Sequence, residues 1–162
     1  MKLSEEDYYQ KIRLAILVAF DIIVINDNDE VLLGRRRNAP AKGLLFTPGG
    51  NVYKGETFEQ AIRRISGKEL GFEISLKDVR LSGIYDQRYK ENFRDSKFPS
   101  CYIDFAFEYK LKRDKIGKEN FLAQHSEMVW MKKKEILKNK EIHKFVKSYF
   151  IKDAENKLAC LT

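Results

Sequence analysis

Glu69 occupies a place where an apolar side chain is expected. Phe58, Ala61, Ile62 and Ile65 form the apolar stripe of a helix. Glu69, eleven positions past Phe58, falls roughly 20° away on the helical wheel at about 100° per residue. Burying a lone carboxylate costs several kcal/mol unless a cation or donors compensate it. Three resolutions stay open: the helix frays near Leu70-Gly71, Glu69 pairs with Arg63 or Arg64, or it ligates a divalent metal. Few oxygen ligands, with waters and substrate phosphates completing the shell, suit Mg²⁺. Asp21 is a second anomaly, the lone charge in an apolar run, and a strand-end or bulge position would also account for it. Arg35, Arg36 and Arg37 are consecutive; any of them offers a bidentate fork for phosphate oxygens, or all are surface charge. The chain has two histidines, His125 and His143. An imidazole titrates near neutrality and makes a general base; a loop histidine with no role is the plain alternative for His125. His143, beside an apolar stripe, is assigned no function.

The elements that must position these groups are legible in outline. Ser4 followed by Asp7 caps a short N-terminal helix. Residues 12–25 read as a long strand, buried on both faces. Asn26 to Asp29 is a turn cluster, and residues 31–35 pair back as a hairpin. Residues 36–44 form a loop, and Leu45-Phe46 is a short strand that stops at Pro48-Gly49-Gly50. Thr57 with Gln60 makes a capping box for the central helix, and Gly71 sits at its C-terminal stop. Strands follow at about 79–86 and 100–111. In the second, Cys101, Ile103, Phe105, Phe107, Tyr109 and Leu111 face one way, and Tyr102, Asp104, Ala106, Glu108 and Lys110 the other. A Lys-rich loop, a short strand at 128–131 and C-terminal helices finish the chain. Antiparallel hairpins mixed with helices indicate an α/β or α+β sandwich.

A chain of 162 residues with no repeat or linker reads as one domain, 1–162. It is large enough to bury a core without disulfides or a structural metal. Its two cysteines, Cys101 and Cys160, make no disulfide framework and fit a reducing cytoplasm. The longest apolar run falls short of a bilayer span, and the acidic start is the reverse of a signal peptide. Membrane and secreted classes are thereby set aside. The net charge of +7 is uneven. Residues 132–147 hold seven lysines against Glu135 and Glu141, which reads as a solvated helix face or a polyanion patch. Ile142, Phe145, Val146, Tyr149 and Phe150 form a core-facing stripe, so the lysines lie elsewhere. No aromatic residues interleave with them as a base-stacking platform requires, which argues against nucleic acid.

Gly50, five residues, Glu56, seven residues, Arg64, then Glu69 and Gly71 resembles the signature box of the Nudix hydrolases. The resemblance implies a Nudix-type α/β/α sandwich with a mixed β-sheet and a loop-helix-loop box. The usual box has a Glu after the Arg and a pair of Glu before the final Gly; here Ile65 and Lys68-Glu69 stand instead. "PGGNVYKGETFEQAIRRISGKELG" is similar to the modified box of the GDP-mannose mannosyl hydrolase branch. "LLGRRRNAPAKGLLFTPGG", "AFDIIVIN" and "QHSEMVW" extend the match to roughly residues 3–150.

That branch implies water attack at the anomeric carbon of a nucleotide sugar, with release of an intact nucleoside diphosphate. GDP-mannose or a related GDP-hexose is the expected substrate. The resemblance assigns one Mg²⁺ to the Gly49 carbonyl, the Glu69 carboxylate and the Gln124 side-chain oxygen, and the general base to His125. Arg36 and Tyr102 match contacts to the leaving diphosphate, and Asp21 matches a ligand-contacting Asp. Glu56 and Arg64 are expected to form a structural ion pair. The branch usually has an Arg after Pro-Gly-Gly, where this chain has Asn51; Lys54, Arg35 or Arg37 would have to compensate, or the substrate differs. Gln87 stands where a relative has a His near the sugar. A cytoplasmic homodimer is implied by resemblance alone. The rivals are an ordinary Nudix pyrophosphohydrolase, cutting at phosphorus, and a Nudix-fold module that only binds a nucleotide or polyanion through the lysine-rich segment.

Overall fold

The computed structural model describes residues 3–111 and 116–159. Part of the Lys-rich loop, and Cys160, lie outside the described residues; Cys101 is a free thiol. Ser4 accepts the Asp7 backbone N–H and starts α1 (Glu5–Leu14). Acidic residues in its first turn and Lys11 and Arg13 in its last suit the helix dipole. The strand expected from residue 12 therefore begins only after this helix, as β1 (Leu17–Ile25). The apolar run that begins at Leu14, still in the helix, and continues into β1 hid the change of element.

β1 pairs along its whole length with β6 (Ser100–Lys110), in parallel. Its other neighbour is β2 (Glu30–Arg36), reached through a turn in which the Asn26 side chain accepts the Asn28 and Glu30 N–H groups. β3 (Leu45–Phe46) pairs with β2. β3 stops before Pro48 as expected, but an unexpected further strand follows: Gly49–Asn51 form β4, antiparallel to β1 with Gly49 opposite Asp21. β5 (Arg80–Tyr89) is antiparallel to β6 and runs past the expected end to include Gln87. β7 (His125–Lys132) is antiparallel to β2 and begins earlier than expected, so His125 is a strand residue, not a loop residue. The C-terminal helices are followed by a last strand, β8 (Lys157–Ala159), on β5. The mixed sheet runs β3-β2-β1-β6-β5-β8, with β4 on β1 and β7 on β2.

Helices cover both faces, which makes an α/β/α sandwich. Phe20, Ile22 and Val24 of β1 pack with Ala61, Ile62 and Ile65 of α2 (Phe58–Leu70) and Phe121 of α3 (Lys118–Gln124). Ile23 and Ile25, on the opposite face, pack with Ile136 of α4 (Lys133–Lys138) and Phe145 and Val146 of α5 (Lys144–Ser148). The expected stripe from Ile142 is buried, but Ile142 bridges Leu45 outside any helix. The middle of the β6 face bearing Tyr102 and Asp104 lies under this second layer, where Asp104 and Ala106 are buried, while Lys110 at its end is exposed. Lys132, Lys134, Lys138 and Lys140 are exposed. No helix among the described residues is long and apolar enough to cross a membrane.

Candidate functional site

The capping box is formed in full: Thr57 Oγ1 accepts the Gln60 N–H, and Gln60 Oε1 accepts the Thr57 N–H. Gly71 closes α2 in the left-handed region at φ 81°, where other residues are strained. The helix does not fray at Glu69, which is 5% exposed. Nor does Glu69 pair with the arginines. Arg63 holds Glu59 and Glu73, and Arg64 holds Glu56 and the Asn51 carbonyl, with its guanidinium 3.8 Å from the Tyr53 ring centroid. The partner of Glu69 is His125, with Nε2 and Oε2 3.0 Å apart and both side chains buried.

His125 sits where α3 ends and β7 begins, its N–H donated to the Phe121 carbonyl. Its ring stacks on Phe121 at 4.5 Å. Gly34 packs against the same two rings, and an added Cβ there would lie 2.4 Å from the His125 Cγ and Nδ1. Nδ1 is buried there without a partner among the described residues, so Nε2 is the ring nitrogen directed toward Glu69. Arg37 braces the junction by donating to the His125 and Leu122 carbonyls.

One cavity is lined by Asp21, Arg36, Gly49, Glu69, Tyr102, Gln124 and His125, all of the residues expected to form a site. Strand register is what assembles them. β1 sets Asp21 opposite Gly49 and Leu17 opposite Tyr102, and β5 sets Gln87 opposite Tyr102. A register shift between Gly34 and Arg36 brings Arg36 opposite His125, the kind of re-aiming that bulges supply. Close packing admits only glycine at Gly49, because a Cβ there would meet Asp21 Oδ1 at 2.2 Å. Arg36, Arg37 and Lys68 add positive charge to the lining. The candidates to replace an Arg at Asn51 separate clearly. Arg35 turns away to Glu127, Glu141 and the Gly43 carbonyl, and Lys54 lies outside the cavity lining. Arg37, the third, lines the cavity while also donating to the His125 and Leu122 carbonyls, and Arg36 keeps a buried Nε with no partner among the described residues. Asn51 instead bonds to the hydroxyl of Tyr8 from α1.

Asp21 is mid-strand and buried, neither a strand end nor a bulge. Its Oδ2 accepts from Thr47 Oγ1 at 3.0 Å and from the Tyr149 hydroxyl. Burial pushes its carboxyl up to about 6, while the Tyr149 and Thr47 hydrogen bonds oppose that rise. Asp104, Gln87 and Tyr149 complete a buried polar cluster that the sequence pattern does not assemble. In the sequence Asp104 is visible only as one member of a strand face, and Tyr149 only as part of an apolar stripe. Burial first, and then the charge of Asp21, hold the Asp104 carboxyl well above the usual range. His143 packs against Tyr89 and Phe46, and its side chain accepts the Phe145 N–H.

Gly49, Glu69 and Gln124 line one cavity, and a backbone carbonyl, a carboxylate and a carboxamide oxygen are what they could offer a cation. Hard oxygens of this kind, with a single carboxylate, fit Mg²⁺ retaining water and phosphate ligands. Among the described residues no cluster of three or more His, Cys, Asp or Glu could hold a metal by itself.

The model of the NUDIX domain family matches residues 16–153. The low-salt glycan biosynthesis protein Agl8 of Haloferax volcanii is 34% identical over 112 residues, 69% of this chain and 68% of that protein. An ADP-ribose pyrophosphatase of Methanocaldococcus jannaschii is 43% identical over 68 residues, covering 42% of this chain and 38% of that one. Among solved structures, the MutT protein from Methanosarcina mazei Go1 superposes with a TM-score of 0.66 at 19% identity, over 86% of this chain and 94% of that chain. The NUDIX domain of Shewanella oneidensis NrtR, complexed with ADP ribose, gives 0.57 at 19% identity over 86% and 90%.

Proposed function

The chain belongs to the NUDIX domain family, and from that premise we propose that it hydrolyses a nucleotide sugar, a GDP-hexose such as GDP-mannose, at the anomeric carbon. The observation that carries this reading is the poverty of carboxylates at the box. Glu56 is spent on Arg64, and Glu59 on Arg63, Ser75 and the Leu76 N–H. Ile65 is core and Lys68 is a cation, which leaves Glu69 as the one acidic ligand. Such a set supports a single Mg²⁺ better than the multi-metal arrangement that attack on phosphorus commonly uses.

In this reading Gly49, Glu69 and Gln124 would hold Mg²⁺, which would supply positive charge to offset that developing on the departing diphosphate. Arg36, whose buried Nε has no partner among the described residues, supplies its guanidinium to the same oxygens. Tyr102, from the strand face shared with Asp21, contacts the diphosphate or sugar. His125 takes a proton from the attacking water at Nε2, since Nδ1 is walled off by Gly34. Nε2 faces Glu69 in this conformation, so the base would be available to water once the Glu69 carboxylate is held elsewhere. Water oxygen bonds to carbon, the carbon–oxygen bond to the diphosphate breaks, and nucleoside diphosphate and free sugar leave.

The second reading is hydrolysis between the phosphates, favoured by the similarity to a protein named ADP-ribose pyrophosphatase. Product analysis across nucleotide sugars and ADP-ribose tests both. Nucleoside diphosphate with free sugar supports the first, and nucleoside monophosphate with sugar phosphate the second. A single-domain cytoplasmic homodimer belongs to the proposal and is tested by light scattering and by fractionation.

A further inference from the structure

The Tyr149 hydroxyl lies among more partners than its one hydrogen can serve. It donates to Asp21 Oδ2 and is 2.9 Å from Asp104 Oδ2, while Gln87 Nε2 approaches it at 2.7 Å. Gln87 Nε2 also reaches Asp104 Oδ2 at 3.1 Å, and Gln87 Oε1 is occupied by the Tyr89 hydroxyl. If Asp104 were ionised, Tyr149 would have to give its single hydrogen to one carboxylate and set bare lone pairs against the other. Every contact is satisfied when Asp104 carries the hydrogen. Tyr149 then accepts from Gln87 and Asp104 and donates to Asp21.

Asp104 Oδ1 supplies a second, independent observation. It is buried with no hydrogen-bond partner among the described residues. A bare oxygen is costly in a buried carboxylate and far less so in a neutral acid. The charged and titratable groups that face the cluster are Asp21 from β1, Arg36 from β2, Tyr85 and Tyr89 from β5, Tyr102 from β6, Glu69 from α2 and Tyr149 beside α5. Of these, Arg36 alone is cationic, and it does not bond Asp104.

We propose that Asp104 is a positioning residue that stays a neutral carboxylic acid, donating to the Tyr149 oxygen so that Tyr149 holds the Asp21 carboxylate against Gly49 at the cavity wall. The raised proton affinity of Asp104 agrees with this. Its consequence for turnover rests on the nucleotide-sugar reading; its protonation does not.

Difference infrared spectroscopy of the full chain, wild type minus Asp104→Asn at pH 8, reads the proton directly. The C=O band of a protonated carboxyl, lost in the variant, is expected; only carboxylate bands would overturn the proposal. The carboxamide introduced by Asp104→Asn presents an N–H donor to Tyr149 and an oxygen in the place of Oδ1, and loses only the contact that Oδ2 accepts from Gln87 Nε2. That variant therefore keeps kcat/KM within about threefold of wild type, while Asp104→Leu loses at least about tenfold. Equal loss in both variants contradicts the assignment. Should wild type not hydrolyse nucleotide sugars, the functional reading fails and the infrared result still decides the protonation.

Discussion

Glu69 Oε2 and His125 Nε2 face each other at 3.0 Å across the floor of the cavity, although 56 residues separate them in the chain. A helix and a strand start converge there to bury an acid and a base together. Under the proposed mechanism the two divide the labour, one toward the metal and the other toward water. His125→Gln lowers kcat at least about 10²-fold with little change in Mg²⁺ affinity, whereas Glu69→Gln weakens Mg²⁺ binding first. Steady-state kinetics with metal titration distinguishes them. Parallel losses of metal affinity in both variants would remove the division.

Gly34 keeps the imidazole in place by having no side chain. A Cβ there would stand 2.4 Å from His125 and 2.8 Å from Phe121. Gly34→Ala thus displaces the ring and lowers kcat by about 10-fold or more, with a fall in Tm. Unchanged kinetics would show that the ring position is not critical.

Glu56 and Arg64 tie the box loop to α2, with Arg64 also holding the Asn51 carbonyl at 2.7 Å. Glu56→Gln removes a charge-assisted pair and costs about 1–3 kcal/mol of stability. Thermal unfolding measures it as a drop of several degrees, and metal affinity falls less than in Glu69→Gln.

His143 carries a pH dependence of stability. Burial, with Lys144 and Arg36 nearby, depresses its imidazole to about 4. A base with a depressed value contributes stability that is present above its unfolded value near 6.5, and that is lost as pH falls toward 4. The Tm of wild type should fall between those limits more than that of His143→Asn, a variant that cannot protonate there. Parallel curves would contradict this.

Local signals carry well into the fold. The α2 caps, the Ser4 start, the Asn26 turn and the strand alternation of β6 are decided by neighbours in sequence, and each is present in the structure. Boundaries fail where apolar character runs through a change of element, as at residues 14–17, or where pairing and not composition defines a strand, as for Gly49–Asn51 and His125. The Asp21–Tyr149–Asp104–Gln87 cluster is invisible in the sequence because register and helix docking create it. Tyr149 shows the difficulty plainly: the periodicity that buries its ring says nothing about what its hydroxyl meets.

The central claim concerns which atom water attacks, and hydrolysis of GDP-mannose in ¹⁸O-water, followed by phosphorus NMR and sugar mass spectrometry, tests it most directly. The account predicts unlabelled GDP and mannose carrying the heavy oxygen. Heavy oxygen on a phosphate product, or GMP with mannose phosphate, would contradict it.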